Sequence, residues 1–80
     1  MTTPDIYEAT AHDPVSGKDV PLYAAARASH TALMDVSVYC ERKGWHLTSF
    51  HAVGENRAKK IWDTVPHGDI IGGVKYDAGC

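Results

Sequence analysis

Apolar and polar residues alternate with a period of two over residues 5–12, and this pattern predicts a β-strand with one face toward the core. The stretch 13–19 contains Pro, Ser and Gly, which favour a tight loop. Residues 20–26 then return as a second strand, so a β-hairpin is expected. The residues expected on its core face are Tyr7, Ala9 and Ala11 of the first strand and Val20, Leu22 and Ala24 of the second.

The spacing of apolar residues then changes to three and four, which predicts a helix ending at Lys43. Ser29 and Thr31 are alternative N-cap residues, since either hydroxyl can accept from the free amides of the first turn. Arg42 and Lys43 would complement the helix dipole in the last turn, and Gly44 can adopt the left-handed conformation that ends many helices. The apolar face of this helix contains Ala32, Val36, Tyr39 and Cys40, with Leu33 beside them.

Residues 45–53 are rich in aromatic and β-branched side chains and predict a third strand. Its apolar residues do not share one parity, and a β-bulge near Thr48 or Ser49 would bring them to one face. The two sets are Trp45, Leu47 and Val53 on one parity, and Phe50 and Ala52 on the other.

The C-terminal part has weaker signals. Residues 57–65 fit a short amphipathic helix or, less well, a strand paired with the third strand. Pro66 ends that segment, and residues 70–76 predict a last, short strand that is weakened by Gly72 and Gly73.

These elements and the composition predict one α+β domain over residues 1–80, in which an antiparallel sheet packs on one main helix. Its 44% hydrophobic and 22% charged residues are typical of a globular chain. No apolar run approaches the ~20 residues that cross a bilayer, and the first residues lack the basic and apolar regions of a signal peptide. We therefore expect a cytoplasmic protein with no membrane partner.

The net charge of −2 conceals an acidic, basic and acidic order along the chain. Residues 1–26 carry −3, residues 27–60 carry +3, and residues 61–80 carry −2. This charge is too mild to drive non-specific binding to nucleic acid, so direct nucleic-acid binding is not the main expectation. It can orient the domain on a partner of mixed charge.

Histidines and cysteines raise the question of a metal or thiol site. His46 and His51 are five residues apart, so on a regular strand they lie on opposite faces and cannot share an ion. Cys40 is expected to be a buried, inert thiol and Cys80 a free terminal one, with a Cys40–Cys80 disulfide as the alternative that a reducing compartment disfavours. Nucleophile-elbow, phosphate-loop and paired-carboxylate motifs are absent from the sequence. We therefore expect no enzyme, no catalytic residue, no metal and no cofactor.

The strongest candidate surface is a basic cluster over residues 57–60, with Trp62 beside it. It is interpreted either as a binding surface or as a solvated helix face whose tryptophan is in the core. If the sheet brings it beside residues 42–43, the basic patch becomes larger. Exposed tyrosines are the expected anchors, because Tyr and Arg are favoured at interfaces. The candidate binding residues are Arg42, Lys43, Arg57, Lys59 and Lys60, with Tyr7, Tyr23 and Tyr76.

The order of hairpin, helix and strand from Ile6 to Val53 resembles anti-CRISPR proteins and related small inhibitors encoded by phages and mobile elements. The resemblance includes no diagnostic motif, and the nearly balanced charge departs from the acidic DNA mimics among them. It implies a non-catalytic inhibitor in the host cytoplasm that binds a host nucleic-acid-handling defence complex. The alternative is a small nucleic-acid-binding module that uses Arg57, Lys59 and Lys60. Because open strand edges favour edge-to-edge pairing, a homodimer is also expected.

Overall fold

The computed structural model describes residues 4–77, and these begin with the predicted β-hairpin. Strand β1 (Asp5–Asp13) pairs antiparallel with strand β2 (Lys18–Ala26) along its whole length. Gly17 has a φ of 75° and makes the turn between them, a conformation that glycine adopts without steric cost. The predicted core face is confirmed, since it consists of the buried Tyr7, Ala9, Ala11, Leu22 and Ala24, with Val20 packed against them.

Helix α1 (Ser29–Lys43) confirms the predicted helix and its C-terminal end. Gly44 has a φ of 76°, and the Trp45 amide donates to the Cys40 carbonyl at 2.9 Å, which satisfies a carbonyl of the last turn. The predicted side-chain N-cap is wrong. Ala28 holds the cap position with an extended backbone, so the helix starts at the first of the two proposed hydroxyl residues rather than after it.

Strand β3 (His46–Ala52) pairs antiparallel with β1 and contains the predicted bulge. The register shifts after Thr10, which leaves Thr48 without a partner residue on β1. The Thr48 hydroxyl donates to the Thr10 carbonyl at 3.0 Å. Because of the extra residue, Leu47 and Phe50 both pack against the core beneath α1.

The same bulge makes the predicted separation of two histidines wrong. His46 lies opposite His12 and His51 lies opposite Glu8, and these two β1 residues have the same parity. The histidines therefore lie on one face, the face away from α1. Two of them contact carboxylates, His51 at 3.3 Å from Glu8 and His12 at 3.1 Å from Asp19. In the part of the chain that the structure describes, no group of three or more His, Cys, Asp or Glu side chains is arranged to hold a metal ion.

Two helical crossovers place the helices on opposite faces of the sheet, whose strand order is β3-β1-β2-β4. Helix α1 connects β2 to β3. Helix α2 (Glu55–Thr64) connects β3 to β4 (Ile70–Ile71), which pairs parallel with β2 at Tyr23 and Ala24. The two crossovers join strands of the same direction but move in opposite directions along the sheet, so a common hand requires opposite faces. The α+β class is confirmed, while the sheet is mixed and not wholly antiparallel.

The last predicted strand is much shorter than expected. A 3-10 turn (His67–Asp69) precedes β4, and helix α3 (Val74–Asp77) follows it. Gly72 has a φ of 77°, and a Cβ there would lie 2.9 Å from the carbonyl oxygen of Ala25. The chain can therefore turn away from β2 at this point only because the residue is glycine.

The core has one cluster on each face of the sheet. The cluster beneath α1 is built largely from alanines, and the largest fully buried side chains of the two clusters are Ile6 and Val36. Small side chains let α1 lie close to the strands. The cluster beneath α2 contains Ile6, Ala25, Ala58, Ile61 and Ile70.

Candidate functional site

The structure separates the two groups of predicted basic residues. Arg42 and Lys43 are in the last turn of α1, whereas Arg57, Lys59 and Lys60 are on α2, against the opposite face of the sheet. All five side chains are exposed. The condition for one enlarged basic patch is therefore not met, because the crossovers carry the two helices to different faces.

The three predicted tyrosine anchors have different surroundings. Tyr7 is only 5% exposed and stacks on Phe50, with ring centroids 5.4 Å apart, so its prediction as an exposed anchor is wrong. Burial, and secondarily the charge of Asp5, raises the pKa of Tyr7. Tyr23 is half-buried beside the cluster beneath α2. Tyr76 is also half-buried, but it lies among cationic and aromatic side chains.

An aromatic and cationic cluster forms where α2 meets α3. The rings of Trp62 and Tyr76 meet edge to face, 6.3 Å apart, and the guanidinium of Arg27 lies 5.5 Å from the centroid of the Tyr76 ring. His67 stacks on Trp62 at 3.6 Å, and its Nε2 lies 2.9 Å from the Trp62 carbonyl oxygen. A carbonyl can only accept, so Nε2 carries the proton. These contacts fix the orientation of the half-buried tryptophan.

Two lysines lie on the exposed side of α2: Lys59 beside this cluster, and Lys60 about 160° around the helix from Trp62. Lys59 precedes Trp62 by three residues, so the two side chains are neighbours on the helix surface. Among the described side chains, neither Lys59 nor Lys60 has a carboxylate within ion-pair distance. Their charges are therefore available to a partner. We name this region the α2 surface and define it as Arg27, Lys59, Lys60, Trp62 and Tyr76.

Arg57, by contrast, holds α2 on the sheet. It lies five residues before Trp62, about 140° around the helix, on the flank toward β1. Its guanidinium donates to Glu8, which also contacts His51. The Glu8 side chain is only 22% exposed. Its carboxylate partly neutralises the charge of Arg57, which was predicted to belong to the basic cluster.

Sequence reasoning missed Arg27 and His67 as members of this region, and it interpreted Trp62 either as a stacking aromatic beside the basic cluster or as a core residue. The spacing of three residues between Lys59 and Trp62 makes them neighbours on a helix, and this could have placed Trp62 on the same surface as the lysine. Arg27 had no comparable signal, because it follows β2 directly and meets Tyr76 only through the parallel pairing of β4 with β2.

Apart from the α2 surface, the structure has an open groove of about 430 Å³ between the end of α1 and β3. Cys40 lines it, is 2% exposed, and forms no disulfide within the described residues 4–77. Burial raises the pKa of this thiol, so the prediction of a buried cysteine in its unreactive protonated form is supported. Cys80, and with it the alternative disulfide, lies outside the described residues. The groove is lined by Ser37, Cys40, Glu41, Gly44, Trp45, His46 and Leu47.

Within residues 4–77, no helix is long and apolar enough to span a membrane. Comparisons of the chain with protein-family models, with curated proteins and with solved structures found no match.

Proposed function

We propose that this protein is a non-catalytic inhibitor that binds a host nucleic-acid-handling defence complex in the host cytoplasm, in the manner of anti-CRISPR proteins. The α2 surface is the observation that supports this proposal. It combines Trp62, Tyr76 and Arg27, the three residue types that most often dominate the energetics of protein interfaces, with two lysines that have no ion-pair partner among the described side chains. The expected partner surface is acidic and has a pocket for an aromatic edge.

The contacts of the aromatic rings favour a protein partner over nucleic acid. Binding of single strands uses aromatic faces on which bases stack. His67 already stacks on Trp62, and Arg27 lies over Tyr76. The net charge of −2 also gives little general attraction to phosphates.

Charge reversal tests the proposal. The double variant Lys59→Glu, Lys60→Glu should weaken binding to the partner at least about tenfold, because each reversal places a carboxylate against an acidic surface. Its melting temperature should stay near that of the wild type, since neither lysine contacts the core. The matched control is Arg42→Glu, Lys43→Glu, which makes the same change in net charge on the opposite face and should leave binding unchanged.

The partner is first isolated by retention of lysate proteins on the immobilised chain and identified by mass spectrometry. The purified complex is then assayed for its nucleic-acid-handling activity with increasing amounts of the chain, and inhibition should saturate at a fixed stoichiometry. Equal retention by the wild type and the Lys59→Glu, Lys60→Glu variant would refute the assignment of the α2 surface. A salt-sensitive mobility shift of DNA or RNA by the chain alone would instead favour the nucleic-acid-binding module.

A further inference from the structure

Among the described strands, one side of the sheet ends in β3, and the other side ends in the two-residue β4 and in the part of β2 that β4 leaves uncovered. Strand β4 pairs with β2 only at Tyr23 and Ala24, so residues 18–22 of β2 form an open edge. That edge contains Lys18, Asp19 and the exposed Pro21, which are residue types that block edge-to-edge association.

Strand β3 is the other open edge, because among the described strands it pairs with β1 alone. It contains no Asp, Glu, Lys, Arg or Pro. Its one irregularity is the bulge at Thr48, and the segment 49–52 continues beyond the bulge with a regular register. This segment leaves backbone donors and acceptors free for another strand.

One flank of α1 faces β3 and carries the exposed Leu33. Ser37 and Cys40 line the groove beside β3, which identifies the flank of the helix that faces this edge. Leu33 precedes them by four and seven residues, so it lies on the same flank. Leu33 is 41% exposed and is the exposed apolar side chain on this flank.

The lengths of the two elements place Leu33 level with Phe50. Helix α1 rises about 1.5 Å per residue and β3 about 3.3 Å, and the two run in opposite directions from the tight turn at Gly44. Leu33, four residues after the start of α1, therefore lies at about the same level as Phe50, two residues before the end of β3. Phe50 is half-buried and packs against the core on the same face.

We propose that two copies of this chain form a homodimer by antiparallel pairing of β3 with β3 of the second copy. The two-fold axis is perpendicular to the sheet at Phe50, so that Phe50 lies opposite its own copy. Aromatic pairs are favourable at directly opposite positions. Since β3 carries no fixed charge, self-pairing opposes no like charges.

The dimer also covers the flank of α1 that carries Leu33. Both α1 helices lie on the same face, antiparallel to each other, with Leu33 and Phe50 of both copies between them. The α2 surface lies on the opposite face and stays accessible, so this proposal goes beyond the proposed function and is tested separately from it.

Sedimentation velocity over a concentration series tests the dimer. The wild type should change from monomer to dimer mass with a dissociation constant between about 1 μM and 1 mM. Leu33→Lys should raise that constant at least about tenfold, because it places two ammonium groups beside the axis. The matched control is Val38→Lys, on the outward face of α1 about 140° around the helix from Leu33 and with a similar exposure of 46%, and it should leave the constant unchanged.

Amide hydrogen exchange gives a second readout that needs no variant. Protection of residues 49–52 should increase with protein concentration, while protection of the open edge of β2 should not. A wild type that stays monomeric up to about 1 mM would overturn the proposal, and the β3 edge would then be open to an extended segment of another protein. A dimer that survives Leu33→Lys with unchanged exchange in residues 49–52 would overturn it as well.

Discussion

Replacing Ala9 by leucine should destabilise the protein, although the substitution adds apolar surface to the core. Ala9 is 1% exposed on the central strand β1, between Leu22 of β2 and Phe50 of β3. It faces α1 across an interface in which small side chains let the helix lie close to the sheet. The alanines of this interface are Ala9, Ala11, Ala24, Ala26 and Ala32.

The expected magnitude follows from two opposing effects. Three added carbons would stabilise the fold by about 2.4 kcal/mol if the core had space for them, at about 0.8 kcal/mol each. Without space, α1 must move away from the sheet and lose contacts around Val36, which is 0% exposed. Overpacking of this kind costs about 1–3 kcal/mol net. In a domain of this size, 1 kcal/mol corresponds to a shift of roughly 4–8 °C in the melting temperature.

Urea unfolding followed by circular dichroism measures the change in free energy. Ala52→Leu is the control, because Ala52 is an exposed alanine on β3 and its replacement should change stability little. Val36→Ala tests the same interface in the other direction, and it should cost about 2–3 kcal/mol through lost burial and a residual cavity. An Ala9→Leu protein as stable as the wild type would show that the interface has room, and the close approach of α1 would then be the wrong explanation of its alanines.

Two further predictions concern the turns. Gly72→Ala should lower the free energy of unfolding by at least about 1 kcal/mol, because its φ is positive and a Cβ would lie 2.9 Å from a backbone oxygen. Gly68→Ala, with no atom within 4 Å of the added Cβ, should be tolerated in the same thermal unfolding assay. The amide of Val15, followed by the hydroxyl and amide of Ser16, lowers the pKa of Asp13 below its ordinary 3.8. This carboxylate therefore stabilises the hairpin above that pH and loses its effect as the pH falls through the folded pKa. An NMR titration of Asp13 should have its midpoint below 3.8 and move upward in Ser16→Ala, and a midpoint at or above 3.8 would contradict the hydrogen bonds.

The hairpin and α1 could be predicted because their signals are local. Alternation placed Tyr7 and Ala9 on one face of a strand, and the helical spacing ended at a glycine that can adopt a positive φ. Ser29 shows the limit of such signals. A hydroxyl at the start of a helix is a good N-cap. In the structure the N-cap residue is Ala28, and Ser29 is the first residue of the helix.

The region after α2 could not be predicted, because its structure depends on a neighbour that is distant in sequence. Strand β4 has two residues, and what makes it a strand is its pairing with Tyr23 and Ala24 of β2. The contact between Arg27 and Tyr76 depends on that pairing. The lysines of the α2 surface could therefore be predicted from the sequence, whereas the presence of Arg27 in it could not.

The bulge predicted near Thr48 should also have changed the prediction that His46 and His51 lie on opposite faces of β3. It was predicted because the apolar residues Leu47 and Phe50 differ in parity, and the structure confirms it. A bulge that reunites two apolar residues on one face must shift the polar residues between and around them as well. His46 and His51 therefore share the opposite face, although a regular strand would separate them. Parity and bulge position together decide which face a side chain occupies, whereas only the crossovers decide which helix covers that face.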